Sequence, residues 1–134
     1  MKVLITGGAG FIGSHINKLL LDQGHSVTVV DDLSRGHKES IDPGVGFHQV
    51  SLNNREKIEK ILPGHDVVIH MASYIEVGES VKNPVEFSEN NIVGTVKLLE
   101  AMKNTAVKKI IFSSSACVYG KPSKLPITEE DLLA

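Results

Sequence analysis

Short runs of apolar residues alternate along the chain with longer segments in which apolar residues recur at helical spacing. The short runs predict five β-strands, at Lys2–Thr6, Ser26–Val30, Gly46–Val50, Asp66–His70 and Lys108–Ser113. The longer segments predict helices at Phe11–Gln23, at Asn54–Leu62 and from Pro84 to about Asn104. Because strands that alternate with helices are joined by crossover connections, the pattern predicts an α/β fold with a doubly wound parallel sheet.

Glycine and proline residues mark several ends of these elements. The first helix has one predicted apolar face, made of Ile12, Ile16, Leu19 and Leu20. Gly24 follows this helix where a C-terminal glycine is common, and Pro84 suits the first turn of a helix. Beyond Gly120 we expect a loop, with Thr128-Glu129-Glu130-Asp131 as the start of a further helix.

The five predicted strands make up most of a doubly wound sheet, but the sheet is incomplete at the strand-five edge. We expect a single domain over residues 1–134, with no second domain beside it. An unpaired strand edge offers free N–H and C=O groups to another chain, so we also expect a homo-oligomer.

Composition and charge exclude several classes of protein. The formal net charge of -2 provides no basic field for nucleic acid or an anionic membrane. No apolar run approaches the roughly 18 residues that a membrane span needs. The single cysteine, Cys117, excludes an intramolecular disulfide and suits the cytoplasm, and the histidines show no paired metal-ligand spacing. We therefore expect a cytoplasmic protein without a metal site.

A glycine-rich turn follows the first strand at once. Its glycines, Gly7, Gly10 and Gly13, are spaced three residues apart. In a strand-to-helix turn the first permits the tight bend, the second lets the backbone approach a pyrophosphate, and the third lets the helix pack on the strand. The N-terminal amides of the helix then face the phosphates. The turn predicts a Rossmann-type dinucleotide site; the alternative is a tight turn without a ligand.

An acidic residue ends the second strand. Asp31 lies 18 residues after Gly13, where a carboxylate accepts hydrogen bonds from the adenosine ribose and repels a 2′-phosphate. It therefore favours NAD over NADP. Asp32 is expected to point the other way, as a solvated loop acid. Arg35 is near enough to accept a 2′-phosphate, which keeps NADP as the alternative.

The chain resembles the extended short-chain dehydrogenase/reductase family, and within it the nucleotide-sugar epimerases of the UDP-glucose 4-epimerase type. Five motifs in order carry the resemblance, and they span essentially the whole chain. They are Thr6-Gly7-Gly8-Ala9-Gly10-Phe11-Ile12-Gly13-Ser14-His15, Asp31-Asp32-Leu33-Ser34-Arg35-Gly36, His70-Met71-Ala72-Ser73, Asn90-Asn91-Ile92-Val93-Gly94-Thr95 and Ser113-Ser114-Ser115-Ala116-Cys117-Val118-Tyr119-Gly120.

The resemblance implies a dinucleotide-binding domain for NAD and a role for each matched position. The pyrophosphate would be surrounded by Gly7, Gly10, Phe11, Ile12 and Gly13, and Asp31 would hold the adenosine ribose. The nicotinamide side would be bordered by Met71, Ala72 and Ser73. Asn91 matches an asparagine near the cofactor and the catalytic region, and Ser115 matches the catalytic serine that hydrogen-bonds the reacting sugar oxygen. The partner so implied is a nucleotide sugar, a UDP-hexose.

Other polar residues have plainer interpretations. We expect His70 to be a satisfied, half-buried imidazole rather than a base. Cys117 is expected to be a small buried hydrophobe, and Tyr119 a packing residue, because Ser123 and not lysine lies four residues after it.

The resemblance also separates two reactions. Dehydratases of this family carry an Asp-Glu pair where this chain has Ala116 and Cys117, and neither of these side chains provides the acid and base that elimination needs. Of the two reactions, the resemblance therefore implies the epimerase reaction, which is reversible hydride transfer at the sugar C4.

Three departures from the family pattern qualify this expectation. The family's Tyr-x-x-x-Lys pair, which supplies the general base, has no match in these 134 residues, and neither has its substrate domain. Ser51 replaces an acidic residue near the adenine, and Ile75 replaces a cofactor-binding lysine, which puts tight retention of NAD in doubt.

Three hypotheses therefore stand. The first is the NAD-binding domain of a nucleotide-sugar epimerase, inactive in these 134 residues because the Tyr-x-x-x-Lys pair is missing. The second is a stand-alone NAD-binding or sensing module without catalysis. The third is a structural remnant that binds no ligand.

Overall fold

The computed structural model describes residues 1–122 and 124–134. It contains one sheet of five parallel strands, in the order β3-β2-β1-β4-β5. The strands are β1 (Lys2–Thr6), β2 (Ser26–Asp31), β3 (Gly46–Gln49), β4 (Val67–His70) and β5 (Ile110–Phe112). The predicted doubly wound sheet is confirmed, with strand ends that differ from the predicted ones by at most two residues.

The helices that connect the strands follow the predicted pattern with one addition. They are α1 (Phe11–Asp22), α2 (Arg55–Ile61), α3 (Val77–Lys82), α4 (Pro84–Ser88) and α5 (Gly94–Lys103). The helix predicted from Pro84 onward is continuous, but a π turn at Glu89–Val93 separates α4 from α5. The short helix α3 was not predicted. Gly24 follows α1 with a φ of +78°, which confirms its predicted place.

Helices cover both faces of the sheet and enclose two apolar cores. On one face α1 packs over a cluster formed by Val3, Ile5, Val27, Val29 and Val67. On the other face α2 and α5 enclose a larger cluster, formed by Leu4, Val30, Leu52, Ile58, Leu62, Val68, Leu98, Ala101, Met102 and Val107. Successive residues of β1 serve opposite cores, because successive side chains of a strand point to opposite faces. This burial on both sides explains why the central strands are apolar runs.

The predicted apolar face of α1 is wrong in two of its four members. Ile12 and Leu19 are 58% and 57% exposed. The buried residues of the helix are Gly13 and Asn17, with Ile16 and Leu20 beside them. The approach of α1 to the sheet is fixed by Gly13, which has no side chain, and by Asn17, whose amide donates to Gly8 O at 2.8 Å.

The predicted helix start at Thr128 is also wrong. Thr128 donates from its backbone N–H and from its hydroxyl to Asp131 Oδ2, and the segment forms a turn. A 3₁₀ turn at Ala116–Tyr119 follows β5 instead. Ser123 lies outside the described residues. Within the ranges that the structure describes, no helix is both long and apolar enough to span a bilayer.

The outer edge of β5 leads to a prediction about association. Ile111 and Phe112 are 58% and 59% exposed, and within residues 1–122 and 124–134 β4 is the one strand paired with β5. We expect the chain to self-associate through this edge, since its free backbone groups can pair with a second copy. Ile111→Lys should weaken the association, measured by sedimentation velocity over a concentration series.

Val81→Lys is the matched control. Val81 is also an exposed apolar residue, and it lies on α3 and not on β5. A chain that stays monomeric at high concentration, or an association that the Val81 variant disrupts and the Ile111 variant does not, would contradict the prediction.

Candidate functional site

A cavity opens at the carboxyl ends of β1, β2 and β4. In the strand order β3-β2-β1-β4-β5 the chain reverses direction across the sheet between β1 and β4, which is where open α/β sheets bind ligands. The cavity is open to solvent, and the space in it, its open mouth included, is about 550 Å³. Its described lining residues are Gly7, Gly10, Val30, Asp31, Asp32, Ser34, Arg35, Gly36, Val50, Leu52, Met71, Ala72, Ser73, Tyr74 and Asn90.

Gly7 forms the bend between β1 and the cavity. Its φ is +72°, in the left-handed region that favours glycine. A Cβ atom at this position would lie 2.6 Å from the backbone N of Ala72, so the position also excludes any side chain for want of space. Gly7 N–H donates to Val30 O at 2.9 Å, and Met71 N–H donates to Thr6 O at 2.9 Å. The bend therefore brings the ends of β1, β2 and β4 together.

Gly13 and Gly10 determine two properties of the N-terminus of α1: its close contact with the glycine turn and its opening onto the cavity. A Cβ atom on Gly13 would clash with the carbonyl oxygen of Gly7, so helix and turn are in direct contact. A Cβ atom on Gly10 would meet a single atom within 4 Å, Gly7 O at 3.4 Å, because Gly10 borders the open cavity. Gly10 is the N-cap, without a side-chain cap, and the first turn of α1 contains no acidic residue. The free amides of this turn are suited to an anion.

Asp31 is 9% exposed and lies in the wall of the cavity. Its Oδ2 accepts from Ala9 N at 3.0 Å, and its Oδ1 accepts from Leu33 N at 2.8 Å. The carboxylate thus joins the glycine turn to the loop after β2. Each oxygen of an ionised carboxylate has a second lone pair, which leaves Asp31 able to accept from a ligand hydroxyl as well.

The loop after β2 contributes more to the cavity than we expected from the sequence. Asp32 was expected to be a solvated loop acid, but it is half-buried and lines the cavity, while its Oδ1 accepts from Ser34 N at 2.9 Å. Gly36 packs on Ala9, where an added Cβ would lie 2.7 Å from the Ala9 Cβ. This contact closes the loop against the glycine turn.

The loop after β4 forms the opposite wall, and Asn91 holds it in place. Met71, Ala72 and Ser73 all line the cavity, and Tyr74 extends this wall. The side chain of Asn91 does not line the cavity. Its Oδ1 accepts from Tyr74 N at 2.8 Å, and its Nδ2 donates to Tyr74 O at 2.9 Å. Asn91 is therefore a positioning residue.

His70 belongs to a buried chain of hydrogen bonds beneath this wall. Its Nδ1 lies 2.6 Å from Thr6 Oγ1 and its Nε2 lies 2.9 Å from Thr95 Oγ1. Thr95 Oγ1 donates to Asn91 O at 2.7 Å. Because the Thr95 proton is used there, Nε2 of His70 carries the hydrogen and Nδ1 accepts from Thr6. The chain links β1, β4 and the π turn, and burial lowers the pKa of His70 below its ordinary value. The prediction of a satisfied imidazole is confirmed, but the residue is 3% exposed and so buried, not half-buried as predicted.

Several residues named from the sequence lie elsewhere. Phe11 and Ile12 are exposed at the start of α1 and do not line the cavity. Ser115 is exposed, does not line the cavity either, and caps the 3₁₀ turn by accepting from Cys117 N at 3.2 Å. Cys117 is exposed, so its prediction as a buried hydrophobe is wrong. It lies on a 3₁₀ turn at the surface, after β5.

The sequence reasoning missed Ser34, Tyr74 and Asn90 as cavity residues. Each is the neighbour in sequence of a residue considered above. Ser34 and Tyr74 lie in loops, where the direction of a side chain has no periodic signal in the sequence, and Asn90 lies in the π turn, which interrupts the regular helical period. Among the described residues there is no group of three or more His, Cys, Asp or Glu side chains able to hold a metal ion.

Comparison with known proteins gives a consistent result. The family model described as NAD dependent epimerase/dehydratase family matches residues 3–134. UDP-glucose 4-epimerase of Lactobacillus helveticus is 46% identical over 132 residues, which cover 97% of this chain and 40% of that protein. The chain thus spans about two fifths of the length of this curated relative, and it matches the N-terminal part of such epimerases.

Solved structures agree with the sequence comparison. The UDP-glucose-4-epimerase of Stenotrophomonas maltophila, with bound NAD and formylated UDP-arabinopyranose, superimposes with a TM-score of 0.88 at 36% identity, over 100% of this chain and 43% of that one. The Brucella ovis UDP-glucose 4-epimerase, in complex with NAD, gives a TM-score of 0.87 at 40% identity, over 99% of this chain and 41% of that one.

The burial of His70 generates a prediction about pH. The pKa of His70 is lowered in the folded state, so the unfolded chain takes up the proton first as the pH falls. Its contribution to stability is therefore complete above about pH 6.5 and is lost as the pH falls below that value. Urea denaturation between pH 8 and pH 5 should show this loss.

His70→Gln is the comparison variant, because glutamine retains an amide donor and acceptor but does not titrate. We expect it to be less stable by about 1–3 kcal/mol at pH 8 and to lose less stability on acidification. An equal loss in both proteins would show that other groups cause the pH dependence.

Proposed function

The chain belongs to the NAD dependent epimerase/dehydratase family, and on that basis we propose that its cavity binds NAD as the cofactor site of a nucleotide-sugar epimerase. The observation that carries the proposal is the open, uncapped N-terminus of α1 at Gly10, which borders the cavity. The residues present fit the cofactor. The amides suit a pyrophosphate, and Asp31 in the same wall suits a ribose diol.

Different residues of the chain would hold different parts of the dinucleotide. Gly7 and Gly13 set the bend and the close helix contact, Gly10 leaves room for the phosphates, and the main-chain amides of Phe11 and Ile12 add donors although their side chains point to solvent. The nicotinamide side of the dinucleotide would be bordered by Met71, Ala72 and Ser73. These residues lie in the loop after β4, where the chain reverses direction across the sheet. Asn91 acts indirectly, by fixing this loop through Tyr74.

The cavity favours NAD over NADP. Asp31 and Asp32 both line it, so a 2′-phosphate on the adenosine ribose would face two carboxylates. Coulomb repulsion between like charges in a partly desolvated wall disfavours the phosphorylated cofactor.

The chemistry we propose for the complete site is reversible hydride transfer at C4 of a UDP-hexose, with NAD supplying the hydride acceptor and donor. UDP-linked sugars enter this proposal because of the Stenotrophomonas maltophila complex. In this chain the hydroxyl of Ser115, after β5, would hold the reacting sugar oxygen. Its observed hydrogen bond is from Cys117 N, and no base contacts it in the described residues.

A second candidate is an NAD-binding module without catalysis. One observation favours it for these 134 residues by themselves: they contain no Tyr-x-x-x-Lys pair, since Tyr74 is followed four residues later by Gly78 and Tyr119 by Ser123. A serine hydroxyl without a nearby base has no efficient proton acceptor near neutral pH.

NAD binding is tested by calorimetric titration of the chain and of Gly10→Val. The Cβ atom of a valine at this position meets one backbone atom, Gly7 O, at 3.4 Å, which is an ordinary van der Waals contact, and the position borders the cavity. We expect NAD to bind the parent chain and its affinity to fall about tenfold or more in the variant, since tenfold corresponds to about 1.4 kcal/mol.

Gly78→Val is the control, because Gly78 has open space around it on α3 and does not line the cavity. It should bind NAD like the parent chain. A parent chain without affinity for NAD, or a Gly10 variant with unchanged affinity, would refute the proposed site.

The second candidate leads to a separate test of activity. In a coupled assay with UDP-galactose and NAD, we expect the 134 residues to show no turnover, because no tyrosine–lysine pair is present to accept the proton. Turnover above background would show that another group in this chain acts as the base.

A further inference from the structure

One positively charged side chain, that of Arg35, lines the cavity in the described residues, beside Asp31 and Asp32. It nevertheless forms no ion pair within 4.0 Å with either carboxylate in the part of the chain that the structure describes. Its guanidinium carbon lies instead 4.9 Å from the centroid of the Tyr74 ring. This distance is within the range of a cation–π contact.

The Tyr74 ring is fixed in place by contacts on several sides. Its hydroxyl donates to Ser34 Oγ at 3.0 Å, so the ring joins the loop after β4 to the loop after β2. It meets the buried ring of Phe87 edge-on, with centroids 5.4 Å apart. The main chain of Tyr74 is held at both its N–H and its C=O by Asn91. Arg35 therefore contacts an aromatic ring that is itself held by Ser34, Phe87 and Asn91.

This arrangement bears on cofactor choice. An arginine near the end of the second strand is the residue that accommodates a 2′-phosphate in NADP-binding sites of this architecture. A guanidinium engaged on an aromatic face must leave it, at least in part, to bind a phosphate. The ring thus competes with the phosphate for the one cation available in the described wall.

We propose that Tyr74 is a specificity-determining residue: by holding Arg35 on its ring, it withholds this cation from a 2′-phosphate and so strengthens the preference for NAD. The proposal rests on the proposed binding of NAD in the same cavity. It assigns to Tyr74 an action through Arg35, distinct from the direct repulsion by Asp31.

The test compares the ratio of the dissociation constants for NADP and NAD in five variants, one of them a control, measured by calorimetry. In Tyr74→Leu, which keeps an apolar contact for Phe87 but removes the ring face, the ratio should fall about three- to tenfold, the range of a partly exposed cation–π contact. In Tyr74→Phe, which keeps the face and loses the hydroxyl, the ratio should be unchanged.

Arg35→Gln separates an effect through the cation from a change in the shape of the wall. Alone it should change the ratio less than about twofold, because the parent Arg35 is already engaged. Combined with Tyr74→Leu it should return the ratio to that of Arg35→Gln. A large loss of NADP affinity in Arg35→Gln alone would overturn the proposal even if Tyr74→Leu did not fold.

Tyr119→Leu is the control, since Tyr119 is the other tyrosine and does not line the cavity. An unchanged ratio in Tyr74→Leu, or a double variant that keeps the low ratio of Tyr74→Leu, would overturn the role of Tyr74 while NAD binding by the parent chain stood. A parent chain that binds neither dinucleotide would refute the NAD site itself, and the role of Tyr74 with it.

Discussion

The contact between the backbone of Gly7 and that of Ala72 is the constraint on which the site depends. Two loops that leave adjacent parallel strands would ordinarily be separated by side chains. Here the left-handed bend at Gly7 and the absence of a Cβ atom let the loop after β4 lie directly against the glycine turn. The start of α1 and the wall formed by Met71 and Ala72 therefore border one cavity.

Polar groups in the interior support this geometry and do not act as reagents. The carboxylate of Asp31 connects the turn to the loop after β2 through Ala9 and Leu33. His70 connects β1 to the π turn through two threonines, and both of its ring nitrogens are satisfied. A buried polar group with all its partners specifies one arrangement of the chain, since any other arrangement would leave it unpaired. The cavity walls are thus positioned by hydrogen bonds that lie behind them.

Structural features could be predicted from the sequence where they have a periodic or a stereochemical signal in it. The strands and the roles of Gly7 and Gly13 were predicted, because apolar runs and obligatory glycines follow from local chemistry. The buried face of α1 was not, because Asn17 is buried by a hydrogen bond to the glycine turn that hydrophobicity does not reveal. Tyr74 was missed for a related reason: its contacts with Ser34, Arg35 and Phe87 come from two segments that are distant from it in the sequence, the loop after β2 and helix α4.

The π turn at Glu89–Val93 changes the rotational phase of the helix that contains it. Each residue of an α-helix advances the chain by about 100°, and a turn closed by i→i+5 bonds accommodates one residue more than a regular turn. Helix α5 consequently begins out of phase with α4. This offset lets Phe87 and Leu98 both be buried while Asn91, between them, turns its amide toward Tyr74. A single extra residue thus allows one continuous helical segment to serve the apolar core at one end and the cavity wall at the other.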